Sequence, residues 1–162
     1  MSLIVDCNIK ELFYDLLRDS ERECKINLSN YSKIYLSNLF ITIDQYLLTE
    51  DQKTFIEMLL SSDNKDVFTK INNLKYVGNK CLLYTGLYED FIKAKQLNST
   101  EYYKMIGVEA YNILSDIYLK YKKELSILYA QLVMEYDDII SVLNRIAKKI
   151  NKTNSLKLTK IT

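Results

Sequence analysis

Residues 125–150 read LSILYAQLVMEYDDIISVLNRIAKKI, and the apolar members Leu125, Leu128, Tyr129, Leu132, Val133, Tyr136, Ile139, Ile140, Leu143, Ile146 and Ile150 recur every three or four positions. That spacing keeps one apolar stripe on one side of a helix for about seven turns, where a half-buried strand would alternate instead. A long C-terminal helix is therefore expected. Upstream, Tyr103, Ile106, Gly107, Ala110, Tyr111, Leu114 and Tyr118 form a second stripe. Its start is marked by Leu97-Asn98-Ser99-Thr100, with Leu97 placed to act as a hydrophobic staple. A third stripe runs from Asp66 through Val67, Ile71, Leu74, Val77, Cys81 and Leu82. It is expected to break or bend at Thr85-Gly86 before a short segment with Leu87, Phe91 and Ile92.

Closer to the N-terminus, Thr49 and Gln52 resemble a cap for a short helix carrying Phe55, Ile56, Leu59 and Leu60, and the polar run 61–65 reads as a connection. Tyr31 to Leu47 has helical spacing after a Ser29 or Asn30 cap. Ile9, Leu12, Phe13, Leu16 and Leu17 do the same after Asn8 and Glu11, a capping-box pair. Residues 1–152 are thus expected to form one helical domain, and 153–162, where the periodicity is lost, a loose tail. The fold class is all-α: a single-domain irregular bundle of about six or seven helices. Gly78 and Gly107 lie inside helical stripes and mark close helix approach, while Gly86 is the candidate for the bend.

Two absences narrow the chemistry more than any motif present. The chain contains no histidine, which removes the commonest general base and metal ligand and every imidazole triad. It also contains no proline and three glycines, too few to punctuate hairpins or build a phosphate-cradling loop. Net charge is +1 from 22 basic and 21 acidic residues, so no global field draws in nucleic acid and no nucleic-acid partner is expected. No apolar run approaches the ~20 residues needed to span a bilayer, and the N-terminus lacks a basic, then apolar leader. A cytoplasmic location is expected. Cys7, Cys24 and Cys81 are odd in number and contain no CxxC pair, which points to reduced, idle thiols rather than a disulfide framework or zinc site.

Three stretches carry a resemblance. Lys25-Ile26-Asn27-Leu28-Ser29 leading into Tyr35-Leu36-Ser37-Asn38-Leu39-Phe40, Val77-Gly78-Asn79-Lys80-Cys81-Leu82-Leu83-Tyr84-Thr85-Gly86-Leu87-Tyr88, and Glu101-Tyr102-Tyr103-Lys104-Met105-Ile106-Gly107-Val108-Glu109-Ala110-Tyr111 together resemble a family of small all-helical bacterial proteins, functionally uncharacterised. The closing pattern Leu125 to Leu143 is similar to that family too. The resemblance implies a bacterial origin and brings no activity, cofactor or catalytic residue.

Candidate chemistry reads as structure at most positions. Glu50-Asp51, Glu89-Asp90 and Asp137-Asp138 are adjacent pairs, whose side chains diverge by about 100° on a helix and cannot share one proton or metal. Cys81 belongs to an apolar stripe and is expected to pack as a small hydrophobe. Arg145, Lys148, Lys149, Lys152, Lys157 and Lys160 gather at a helix C-terminus, where cations stabilise the macrodipole; contact with nucleic acid or acidic lipid is the sharper alternative. No catalytic residue, metal ligand or cofactor is assigned.

Fourteen tyrosines against five phenylalanines and no tryptophan are the remaining anomaly, and tyrosine is enriched at interfaces. Tyr84, Tyr88, Tyr102, Tyr103 and Tyr111 are the candidate interaction or groove surface, with Gly78, Gly86 and Gly107 as close packing points beside it. The function expected first is a non-enzymatic interaction or scaffold protein that self-associates or binds a protein partner. The alternative is a bundle that holds a small apolar or aromatic ligand between its glycine-bearing helices.

Overall fold

The computed structural model describes residues 2–47, 55–61, 66–90 and 99–161, with backbone alone at 2–8, 44, 47, 56, 60, 61 and 152–161. It is a helical bundle without strands among the described residues. In order the helices are α1 (Ser2–Cys24), α2 (Asn30–Ile41), the single turn α3 (Asp44–Leu47), α4 (Phe55–Ser61), α5 (Val67–Gly86), α6 (Thr100–Tyr121), α7 (Lys123–Met134) and α8 (Tyr136–Ile161). None of the helices searched among those residues is long and apolar enough to cross a membrane.

Helix α5 is the axis of the bundle. Residues 77–83 are buried without interruption, so for two turns this helix has no solvent side, and α3, α4, α6 and α8 all pack against it. Asp66 caps its start, accepting from the Thr69 amide at 2.9 Å and the Thr69 hydroxyl at 2.9 Å. Ser29 and Ser99 cap α2 and α6 in the same way. The expected cap at Thr49, the Leu97 staple and Asn98 of the expected helix entry, like Phe91 and Ile92, lie outside the described residues.

Four boundaries differ from the sequence reading. Helix α1 begins at Ser2 rather than at Asn8, because nothing in the first seven residues breaks a helix and Asn8 is tolerated within it. The stripe Tyr31–Leu47 is interrupted at Thr42, whose hydroxyl bonds back to the carbonyls of Asn38 at 3.3 Å and Leu39 at 3.1 Å and so competes with the helical amides. The seven-turn pattern at the C-terminus is two helices jointed at Glu135 (φ −96°, ψ 7°). Leu132, Tyr136 and Ile139 all point into the same core, so the periodicity runs through the joint and conceals it. Helix α8 then continues through the segment expected as a loose tail, with helical backbone to Ile161; no glycine or proline is present there to stop it.

The Glu135 joint is held from outside. Its carboxylate accepts the Ser29 amide at 2.7 Å, the Ser29 hydroxyl at 2.7 Å and the Ser32 hydroxyl at 2.6 Å, all at the start of α2. At the other turn of this region, Ser115 and Ser126 exchange hydroxyl-to-carbonyl bonds of 2.8 and 2.7 Å and pin α7 back onto α6.

Candidate functional site

The five candidate tyrosines do not share one surface. Of the residues expected as a possible interaction or groove surface, Tyr84, Tyr88 and Tyr102 are half-buried at the meeting of α5 and α6, whereas Tyr103 and Tyr111 are buried. Helical geometry separates them: Tyr102 and Tyr103 lie about 100° apart, so one faces outward and the other inward. Edge-to-face contacts tie Tyr84 to Tyr103 (5.4 Å between centroids), Tyr103 to Tyr102 (5.3 Å) and Phe55 to both Tyr84 and Tyr103 (5.9 and 5.6 Å). Beside them Thr85, Glu89, Glu101, Lys104, Asp137 and Ser141 border a recess of about 240 Å3. Lys104 pairs with Asp137 across it, and that hydrogen bond raises the lysine pKa against a smaller opposing effect of burial.

The crevices beside the glycines are occupied by the protein's own side chains. A Cβ on Gly78 would lie 2.5 Å from the Tyr111 ring, and one on Gly86 would lie 2.5 and 2.8 Å from Leu143 Cδ1 and Cβ. A Cβ on Gly107 would collide with the Tyr136 hydroxyl and lie 3.0 Å from Cys81 Cβ. None of the three has a positive φ, so Gly86 serves close packing of α5 on α8 rather than a left-handed bend.

Inside the bundle the tyrosines take a second role that periodicity does not reveal. Asn79 sits on the fully enclosed part of α5 and needs partners for its amide. The Tyr35 and Tyr111 hydroxyls both donate to Asn79 Oδ1, the latter at 2.7 Å, and Asn79 Nδ2 donates to the Tyr46 hydroxyl at 2.8 Å. With the Tyr35 proton committed to Asn79, the 3.5 Å contact between Tyr35 and Tyr129 runs from Tyr129 as donor. Proton direction is thereby set along Tyr129, Tyr35 and Asn79 to Tyr46. Burial pushes the Tyr35 pKa up to about 12, with the hydrogen bond from Tyr129 the chief opposing effect. Burial first, then neighbouring hydroxyls, raises Tyr111 and Tyr129 as well. These phenols stay neutral donors under ordinary conditions and offer no base.

Lys80, 1% exposed, donates to the Tyr76 hydroxyl at 3.0 Å and lies 5.3 and 5.9 Å from the Tyr76 and Tyr84 ring centroids. The Tyr136 hydroxyl is buried without a hydrogen bond of normal geometry. Burial, followed by the neighbouring Cys81, raises its pKa well above the usual value, while the Thr85 hydroxyl gives its proton to the carbonyls of Cys81 and Leu82. Asn79, Tyr35, Tyr46 and Lys80 were not among the sequence candidates. The available signal was a pair of polar residues, Asn79-Lys80, inside an otherwise apolar and small-residue run. In the C-terminal basic cluster, Arg145 and Lys149 both bond Glu23 of α1, the lysine at 2.8 Å.

Among the described residues no group of three Cys, Asp or Glu is placed to hold a metal ion. Comparison of the chain with family models, curated proteins and solved structures returned no match.

Proposed function

We propose that this chain is a non-enzymatic interaction or scaffold protein, self-associating or binding a protein partner through the face that carries Tyr84, Tyr88 and Tyr102. The observation that carries this reading is the composition of that face. Tyr84, Tyr88 and Tyr102 are half-buried, and Met105, one helical turn from Tyr102, is 70% exposed; tyrosine and methionine are enriched where proteins meet. Glu89, Glu101 and Asp137 at the recess border supply charge that would orient a partner. A cytoplasmic setting suits the free thiols of Cys24 and Cys81, and it belongs to the same proposal, as does the bacterial origin implied by the resemblance. The alternative of an apolar ligand between the glycine-bearing helices meets crevices already filled by Tyr111, Leu143 and Tyr136.

Native mass spectrometry across a range of protein concentrations tests the proposal. A defined oligomer, or a complex with a protein partner, is expected. Tyr88→Ala and Tyr102→Ala should each weaken it by about 1 kcal/mol or more while leaving helicity intact. Tyr103→Ala, by contrast, removes a core side chain and is not a surface test. A chain that stays monomeric and partnerless, or an assembly indifferent to both surface variants, would count against this face; a monomer carrying a reproducible extra mass would favour the ligand-binding alternative.

A further inference from the structure

At the opposite end of α1 from its start, the turn into α2 borders an open depression of about 350 Å3, together with Arg18, Glu21, Arg22, Lys25, Asn27 and Lys33. Four cations face one carboxylate there, and that carboxylate is already committed. Glu21 is 7% exposed, accepts the Leu28 amide at 2.9 Å and pairs with Lys33 at 3.4 Å. Arg18 pairs with Asp15 and Asp19 on its own helix. Arg22 and Lys25 are exposed and form no ion pair among the described residues.

Lys25 is also the backbone outlier of the described chain. Its φ of 57° is the only positive value at a non-glycine residue there. The amides of Lys25 and Ile26 bond the carbonyls of Arg22 at 3.2 Å and Glu21 at 3.0 Å, a Schellman closure whose left-handed position ordinarily belongs to glycine. A cation for the α1 macrodipole does not require this placement, because Arg22 already lies in the last turn. Backbone strain that persists in a folded protein is a pointer to function when it borders a site. Here it holds an ammonium at the border of a basic depression, beside a guanidinium whose planar fork matches phosphate oxygens.

We infer that this depression, with Arg22 and Lys25 as its binding cations, is a site for a phosphate-bearing anion. Its charges are solvent-facing, so binding is moderate and falls as salt rises. The inference does not depend on the tyrosine face. Free phosphate esters and lipid headgroups share this chemistry.

The test is a pyrophosphate titration of the isotopically labelled full chain, followed by amide chemical shifts, with cosedimentation on phosphatidylglycerol vesicles in parallel. Shifts are expected at the amides of residues 22–27 and should fade as sodium chloride is added. Arg22→Gln and Lys25→Gly should each weaken binding about fivefold, the scale of an exposed charged contact. Lys25→Gly should at the same time raise Tm, because glycine adopts the left-handed position freely, so lost binding cannot be ascribed to lost folding. Vesicle binding without pyrophosphate binding, weakened by both variants, supports the site and assigns it to a headgroup. Binding that neither variant weakens, or no binding of either probe, overturns the inference.

Discussion

Asn79 and Gly78 are adjacent residues whose effects are coupled through a third. Gly78 lets the Tyr111 ring lie against α5, and only from there does the Tyr111 hydroxyl reach Asn79 Oδ1. Gly78→Ala should therefore destabilise the protein by about 1–3 kcal/mol, since the ring is fully enclosed and cannot turn aside. Asn79→Leu should cost roughly 1–3 kcal/mol for each buried hydroxyl it leaves unpaired. Urea denaturation of both variants and the double variant should show a combined loss smaller than the sum, because each acts partly through Tyr111. Strictly additive losses would mean that the two residues act independently. The stripe containing Gly78 was legible from the sequence, and so was close packing there as an expectation. The identity of the neighbour was not, because Tyr111 lies 33 positions away along the chain and any aromatic or aliphatic residue of another helix could have filled the gap.

At the scale of elements, the joint between α7 and α8 depends on a carboxylate borrowed by α2. Burial works to raise the Glu135 pKa, but the hydrogen bonds from Ser32 and Ser29 together outweigh it and hold the group below the ordinary value of 4.5. In the interval below 4.5 the unfolded chain binds the proton more readily than the folded one. The stability contributed by this group is thus present above that interval and is lost as pH falls through it. Glu135→Gln should be less stable than the parent near neutral pH, and the difference should shrink on acidification, where the parent is itself protonated. Thermal melts at a series of pH values would measure this; a gap between the two proteins that stays constant with pH would show that the charge at the joint is not what matters. The joint was invisible in the sequence because glutamate favours helices and the apolar spacing is uninterrupted at Glu135. The start of α2 was legible, since a serine that caps its own helix needs only local atoms.

For the molecule as a whole, the surplus of tyrosine is divided between an interior network and an outer face. Tyr35, with its pKa pushed to about 12, and Tyr111, Tyr129 and Tyr136, also raised, keep their protons in the folded state beyond the ordinary value of 10.0. Their stabilisation is complete below that value and is lost as pH rises past it, because the unfolded chain then releases protons that the folded chain retains. Tyrosinate absorbance followed together with circular dichroism in an alkaline titration should show these phenols ionising only as helicity is lost. Their ionisation with helicity intact would indicate that water reaches the network. Helical class, the main apolar stripes and the Ser29, Asp66 and Ser99 caps were determined by the sequence itself, because periodicity and capping are local and act over one or two turns. Which tyrosines lie inside, what fills the space beside each glycine, where the C-terminal stripe is jointed and that Lys25 borders a basic depression were decided only by tertiary structure. Each depends on contacts between helices distant in sequence, and the same apolar stripe can satisfy many such arrangements until one of them brings the buried polar groups into register.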